Sequence, residues 1–466
     1  MNGVFGRVRR IHMVGIAGVG MSGIAEVLLN LGYAVSGSDL KENAAVAHLR
    51  SRGARIGIGH RPENLIDADV LVTSSAIAAD NPELLAARSR RIPIIRRAEM
   101  LAELMRFRYG IAVAGSHGKT TTTSLIASVL MQAGCDPTFV IGGRLESAGG
   151  GARLGKGRYL VAEADESDAS FLLYKPMLSV VTNIDRDHLG AYGGDFGRLI
   201  ESFEKFLLQL PFYGRAVVCA DDPHLLEMVS GLGRPVWTYG FGPADFHGVN
   251  LRAEGRYMYF GVERPEAAAL ELRLKLPGRH NVANALAAVA IAAELGLADE
   301  AVVWALANFD GIVRRLQVLG ELSLGGVRVP LVDDYAHHPR EILATLQAVR
   351  AAWPGKRLVV VFQPHRYTRT RDLLDDFAAA MDAVDLLVLA EVYPAGEAPI
   401  PGADARALAR AIRSRGRVEP VFLPDPDDLG KILEALLSPG DLVLTLGAGD
   451  IGQYARRLPL TVERGS

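Results

Sequence analysis

Gly115-Ser116-His117-Gly118-Lys119-Thr120-Thr121 follows an apolar run, Ile111 to Ala114, and opens a Thr-rich segment that predicts a helix to about Gly134. A strand that turns through glycines into a helix is the geometry of a phosphate cradle. Backbone N–H groups and the helix N-terminus point at anionic oxygens, a lysine adds positive charge and a hydroxyl is offered to Mg2+. Lys119 and Thr120 occupy those last two positions. The usual G-x-x-x-x-G-K-[ST] pattern is shortened, because position 113 is Val and the glycines are Gly115 and Gly118. Residues 115 to 121 therefore predict ATP binding in an α/β chain. The competing reading is an ordinary strand-to-helix turn capped by Ser or Thr.

On the N-terminal side of this loop the chain reads as strand Ile11 to Val14, a glycine turn, helix Met21 to Leu31 and strand Ala34 to Ser38, ending in Asp39. Strands at Val70 to Thr73 and Pro93 to Ile95 extend it into a Rossmann-like domain over residues 1–107. Gly18-x-Gly20-x-x-Gly23 with Asp39 is a dinucleotide-binding pattern, although the spacing to the acid is short. The same backbone donors around Gly18, Gly20, Met21 and Ser22 would hold the diphosphate of a UDP ligand. The plain alternative is a glycine turn chosen for helix–strand packing.

On the C-terminal side, strands at Tyr159 to Ala162, Leu178 to Thr182 and Arg215 to Cys219 complete a central parallel sheet, in a P-loop domain over residues 108–313. Ligands bind at the carboxyl ends of such strands, where Glu163, Asn183, Asp187 and His188 converge with the phosphate loop. Glu163-Ala164-Asp165-Glu166-Ser167-Asp168 supplies the hard oxygens that Mg2+ requires, with Glu163 nearest the strand. An alternating stretch near Arg252 to Leu276 predicts antiparallel strands, and an Ala-rich helix follows over Asn281 to Leu295. Residues 314–466 repeat the α/β rhythm as a second Rossmann-like domain, including a helix at Asp372 to Ala383 and a glycine triplet, Gly447-x-Gly449-x-x-Gly452. Arg366 beside strand Arg357 to Phe362, and Arg314-Arg315 near the start of the domain, suit a carboxylate or a transferring phosphoryl group.

Size and composition agree with three domains: 466 residues at about 150 per domain. A hydrophobic content of 49% with 22% charged residues marks a globular chain, and a net charge of −2 without a basic run points away from nucleic acid and anionic membranes. Cys135 and Cys219 form no metal-ligand spacing and fit a reducing compartment. Arg7, Arg9 and Arg10 before an apolar stretch imitate a secretory signal, but glycines and His12 interrupt it, and no run nears the ~18 apolar residues of a membrane span. The expectation is a cytoplasmic enzyme acting on small molecules, as a monomer or weak homodimer.

Several strings in order resemble the Mur ligases of bacterial peptidoglycan synthesis: Gly18 to Glu26, Ser74-Ser75-Ala76-Ile77, Asn81-Pro82-Glu83, Gly115 to Thr121, Glu163 to Ser170, Asp187-His188, His280 to Ala285, Asp333 to Pro339, Gln363 to Thr370 and Ala395 to Gly402. The resemblance covers essentially the whole chain. It implies an N-terminal domain that holds the UDP part, a central ATPase and a C-terminal domain that brings the amino acid. In the branch resembled most, the substrates are UDP-N-acetylmuramate and L-alanine, and the cofactors ATP and Mg2+. By the resemblance Lys119 holds the β- and γ-phosphates, Thr120 and Glu163 one Mg2+, and His188 a second metal site. Asn281 and Asn284 lie near the nucleotide; Arg366, His337 and Tyr335 face the amino acid or reacting phosphate; Ser74, Ser75 and Arg315 join the substrate contacts. Two positions depart from the pattern, Gly190 in place of Asp and Leu316 in place of Phe. An NAD-dependent dehydrogenase explains the first glycine triplet and leaves the phosphate loop idle. A nucleotide switch explains the loop and leaves the outer domains idle, and a ligase that recycles a peptide onto the same sugar nucleotide is the nearest alternative.

Overall fold

The computed structural model describes residues 5–74, 76–145 and 150–461. The first of its three sheets contains β1 (Arg10–Val14), β2 (Ala34–Asp39), β3 (Arg55–Ile58), β4 (Val70–Thr73) and β5 (Ile94–Arg96) in the order β3-β2-β1-β4-β5. Every pairing in it is parallel, and the strand order reverses at β1, so the turn after β1 sits at the switch point where such sheets bind ligands. Helices cover both faces of a parallel sheet, which is why Ile11, Met13 and Val14 are all buried although they alternate in direction.

The central sheet comprises β6 (Tyr109–Ala114), β7 (Thr138–Leu145), β8 (Gly150–Arg153), β9 (Tyr159–Glu163), β10 (Leu178–Val181), β11 (Arg215–Cys219), β12 (Val236–Gly240), β13 (Phe246–Glu254), β14 (Tyr257–Glu263) and β15 (Leu270–Leu274). Its order is β15-β14-β13-β12-β11-β10-β6-β9-β7-β8, with β6 flanked by β10 and β9 in parallel register. That arrangement brings the turns after β6, β9 and β10 side by side.

The third sheet contains β16 (Gln317–Leu324), β17 (Val327–Asp334), β18 (Arg357–Phe362), β19 (Leu386–Ala390), β20 (Pro420–Leu423), β21 (Asp441–Leu446) and β22 (Leu460–Thr461), in the order β20-β19-β18-β21-β17-β16-β22. Alternate residues of β18 feed two cores: Leu358, Val360 and Phe362 one, Val359 and Val361 the other. The helix expected over Asp372 to Ala383 is instead two short helices, Tyr367–Asp372 and Leu374–Ala380, because Leu373 leaves helical geometry at φ −122° and ψ 25°.

The chain packs as two compact units, Met1–Asn250 with Phe260–Arg273 and Val282–Asp310, and Gly311–Ser466 with Leu251–Tyr259 and Leu274–Asn281. The first unit holds the first sheet and most of the central one. Among the described residues no helix is long and apolar enough to cross a membrane.

Candidate active site

The phosphate loop is wired to the strand beside it. Ser116 N–H donates to Asn183 O at 3.0 Å, His117 N–H to Asn183 Oδ1 at 2.9 Å, and Thr182 Oγ1 donates to His117 O at 2.5 Å. Gly115 has φ +127°, and a Cβ there would overlap the Thr182 hydroxyl, so the turn requires glycine on both grounds. Gly118 caps helix Lys119–Gln132 at φ +84°, beside Asn284, whose Oδ1 accepts from Thr122 Oγ1 at 3.1 Å. No acidic side chain lies in that helix's first turn, so its positive end is uncompensated. The ring of His117 sits 2.9 Å from Asp185, which leaves its backbone as the part directed to the loop.

Lys119 has partners that the motif alone does not reveal. Its Nζ donates to Gly115 O at 2.5 Å, to Ser116 O at 3.2 Å and to both carboxylate oxygens of Glu166 at 2.8 and 3.0 Å. Glu166 is fully buried, and burial pushes its carboxyl up to about 7 against the pull of Lys119. Burial also opposes ionisation of Asp165, but Lys119 and the bonds from Ser167 outweigh it and hold that carboxyl below its usual value. Sequence reasoning passed over Glu166 because it ranked the acids by closeness to the strand. The chain turns back after β9, and a 3-10 turn at Ser170–Leu173 follows, so the fourth residue of the cluster faces the lysine.

Thr120 is the second residue of the helix that follows β6, and Glu163 ends β9 directly opposite Val113 of β6, so the hydroxyl and the carboxylate follow neighbouring strands. Glu163 Oε1 accepts from Gly142 N–H at 2.7 Å. His188 lies past β10 at φ +56°, with Nε2 at 3.4 Å from Asp187. Hard oxygens with one imidazole form a donor set that fits Mg2+ at Thr120 and Glu163, with nitrogen available further along. Gly190 has open space where a Cβ would lie, so the departure at this position leaves no packing defect.

In the first sheet, Gly15 and Ile16 N–H both donate to Ser38 O at 2.9 and 3.1 Å, and the Asp39 carboxylate accepts from Ala17 N–H at 2.9 Å and Leu40 N–H at 2.8 Å. Asp39 thus shapes the glycine loop. Helix Val19–Asn30 begins at Gly18 with no side-chain cap and no acid in its first turn, an end suited to a diphosphate. Met21 is buried, so only its backbone faces the loop, and Ser22 N–H is used within the helix, on Gly18 O. Ser74 follows β4 and accepts from Ile77 N–H at 3.2 Å; Ser75 lies outside the described residues.

A buried polar cluster supports this loop. Glu83 accepts from Ser38 Oγ at 2.8 Å, Asn64 Nδ2 at 2.7 Å and Arg61 N–H at 2.9 Å, and lies 2.8 Å from His12 Nε2. Burial raises its carboxyl, but these partners win and hold it below the ordinary value.

The second unit gathers Tyr335 and His337, which follow β17, with Arg315, which precedes β16. The guanidinium groups of Arg314 and Arg315 lie 5.0 and 5.2 Å from the Tyr335 ring centre, and His337 meets Tyr335 edge-on at 5.4 Å and His365 at 5.7 Å. His365 stacks on Tyr393, and burial with its cationic neighbours pushes its imidazole down to about 3, so it is neutral. Arg366, half-exposed, takes φ +71° after β18 and donates its N–H to Tyr393 O at 2.8 Å. Asn281 belongs to this unit, its amide donating to Pro277 O at 2.7 Å. Leu316 is buried at φ +46°, its N–H on Asp334 Oδ2 at 2.7 Å, so the residue at this departure from the pattern packs in the core. The second glycine triplet is occupied by the protein's own side chains. Arg314 donates to Gly447 O and Gly449 O, while Gln363 bonds Asp450 at 2.8 Å and accepts from Ile451 N–H at 3.1 Å.

Family models match in the same order as these sites: Mur ligase family, catalytic domain, over residues 10–109; Mur ligase middle domain over 113–292; and Mur ligase, glutamate ligase domain, over 314–449. The chain is 58% identical over 454 residues to the UDP-N-acetylmuramate–L-alanine ligase of Methylococcus capsulatus, covering 97% of this chain and 96% of that protein. The crystal structure of a UDP-N-acetylmuramate–alanine ligase from Thermotoga maritima is similar at TM-score 0.82 and 33% identity, covering 96% of this chain and 97% of that one. A murein peptide ligase from Psychrobacter arcticus shares the fold at TM-score 0.71 and 24% identity, covering 97% of this chain and 100% of that one. With three sheets, a phosphate loop on the middle one and matches along its length, the chain belongs to the Mur ligase family.

Proposed function

We propose that this chain is an ATP-dependent ligase that joins L-alanine to the lactyl carboxylate of UDP-N-acetylmuramate and releases ADP and phosphate, a cytoplasmic step of peptidoglycan precursor synthesis. The observation that carries this reading is Lys119. It lies in a strand-to-helix phosphate loop beside an acidic strand end, in the same compact unit as an uncapped glycine loop suited to a nucleotide diphosphate.

The chemistry gives each group a task. A carboxylate is too stable to accept an amine, so its oxygen attacks the γ-phosphorus, the bond to the β-phosphate oxygen breaks, and an acyl phosphate forms as ADP leaves. The neutral amine of L-alanine then attacks the acyl carbon, and phosphate leaves. Lys119, the N–H groups from Gly118 to Thr121 and the end of helix Lys119–Gln132 stabilise charge on the transferring phosphoryl group. Thr120 and Glu163 would hold Mg2+, with His188 at a second metal position; the ion supplies charge neutralisation of the phosphates. Asn284 steadies the start of the helix by accepting from Thr122 Oγ1 beside Gly118. Tyr335, His337, Arg315 and Arg366, all in the second unit, receive the amino acid.

The test is phosphate release from ATP and Mg2+ with UDP-N-acetylmuramate and L-alanine, each component dropped in turn and the product weighed. Release that needs all of them, with the mass of one added alanine, is the expected result. Release that needs a peptide in place of alanine moves the assignment to a recycling ligase, and no release with either refutes the ligase reading.

A further inference from the structure

We propose that Arg97 receives the reacting carboxylate of the sugar nucleotide and presents it to the phosphate loop. The proposal rests on reading the first glycine loop as the site of the UDP part. Arg97 opens helix Arg97–Met105 immediately after β5, and its side chain leaves the first sheet toward the central one. On one side the guanidinium lies over Gly20, so closely that a methyl group on Gly20 would collide with Nη1. On the other, Nη2 lies 3.4 Å from Asp165 Oδ2. Asp165 adjoins Glu166, the partner of Lys119. The fork thus stands between the loop assigned to the diphosphate and the lysine assigned to the γ-phosphate, all within one compact unit.

Gly20 supports a role beyond packing. It sits in the first turn of helix Val19–Asn30 without positive φ, so the backbone does not require glycine there. What its missing side chain leaves is room for the guanidinium. The contact to Asp165 is a poor structural latch: it is single, long and partly exposed, a class of pair worth about 0–1 kcal/mol. Arg357, by contrast, holds Asp441 through two bonds at 2.7 and 2.8 Å. A fork loosely held by one carboxylate is ready to exchange it for another, and a guanidinium matches a planar carboxylate in bidentate geometry. The exchange also answers an electrostatic need. An anionic nucleophile approaching a polyphosphate past Glu163 and Asp165 meets like charge from both sides, and Arg97 offsets it without drawing Lys119 from ATP.

Steady-state kinetics of Arg97→Gln and Arg97→Lys test this, with UDP-N-acetylglucosamine as a competitor that carries the diphosphate and lacks the lactyl carboxylate. Arg97→Gln is expected to lower kcat/KM for UDP-N-acetylmuramate by about 10²-fold, with partial recovery in Arg97→Lys. The KM for ATP, inhibition by UDP-N-acetylglucosamine and the melting temperature are expected to stay as in the parent. An equal loss of competitor affinity would make Arg97 a diphosphate contact and overturn the carboxylate assignment; an unchanged kcat/KM would overturn any substrate role. Gly18→Ala separates the two readings. Its Cβ would meet only Gly15 O at 3.4 Å and Met21 Cγ at 4.0 Å, so the fold accepts it while it obstructs a ligand. If competitor inhibition survives that change, the glycine-loop reading itself fails.

Discussion

Glu166 and Lys119 form a buried pair whose two members respond differently to pH. Burial sets the Glu166 carboxyl at about 7, above its usual 4.5, so the folded state binds the proton more tightly than the unfolded chain. Stability present in acid is therefore lost as pH rises toward 7, and is level beyond it. Removing Lys119 removes the attraction that opposes this rise, so the carboxyl moves higher still. Lys119→Ala is expected to lower turnover by at least about 10²-fold, and its urea midpoint should keep falling above pH 7 where the parent's is flat. The motif alone predicts a loop contact whose loss leaves stability untouched; the structure adds the stability effect. Glu83 carries the opposite sign. Its carboxyl is held below the ordinary value, so its contribution is lost as pH falls through the folded value. Glu83→Gln places an amide donor among donors, and is expected to cost about 3 kcal/mol in urea denaturation while flattening the acid limb.

The elements that carry the site were legible where two signals coincided. β4, β11 and β18 begin and end where their apolar runs do, and the strand before Gly115 is recognisable because glycines and a Thr-rich helix follow it. β7, β8 and β16 were missed, since glycines interrupt the first two and β16 mixes polar with apolar positions without clean alternation. The broken helix at Leu373 was not legible either, because no Pro or Gly marks the break. Within the site, Lys119, Thr120 and Glu163 followed from motif and strand end, whereas Glu166 and Arg97 depend on how the loop after β9 folds back and on the spacing of two sheets. The phosphate loop also yields a test of its geometry. Gly115→Ala must resolve both a positive φ and an overlap with Thr182 Oγ1, which itself anchors the loop through His117 O. A loss of about 2 kcal/mol is expected, together with loss of the melting-temperature increase that ADP and Mg2+ give the parent.

At the scale of the whole chain, two compact units with separate cores predict more than one calorimetric transition. An ATP analogue at about 100 times its dissociation constant should raise the transition of the phosphate-loop unit by about 2.7 kcal/mol; a single transition that moves as one would refute this independence. Both outer sheets carry a glycine triplet of the same spacing after a strand, and an arginine meets each: Arg97 lies over Gly20 in the first, whereas Arg314 bonds the turn's own carbonyls in the second. Around Gly447 and Gly449 the donors belong to Arg314, from the start of the same unit. A tethered guanidinium is present at an effective concentration of about millimolar or more and cannot diffuse away. That tether closes the second turn on itself, so two glycine triplets of one spacing serve different ends in this fold, the second as an internal clasp between the start and the end of its unit.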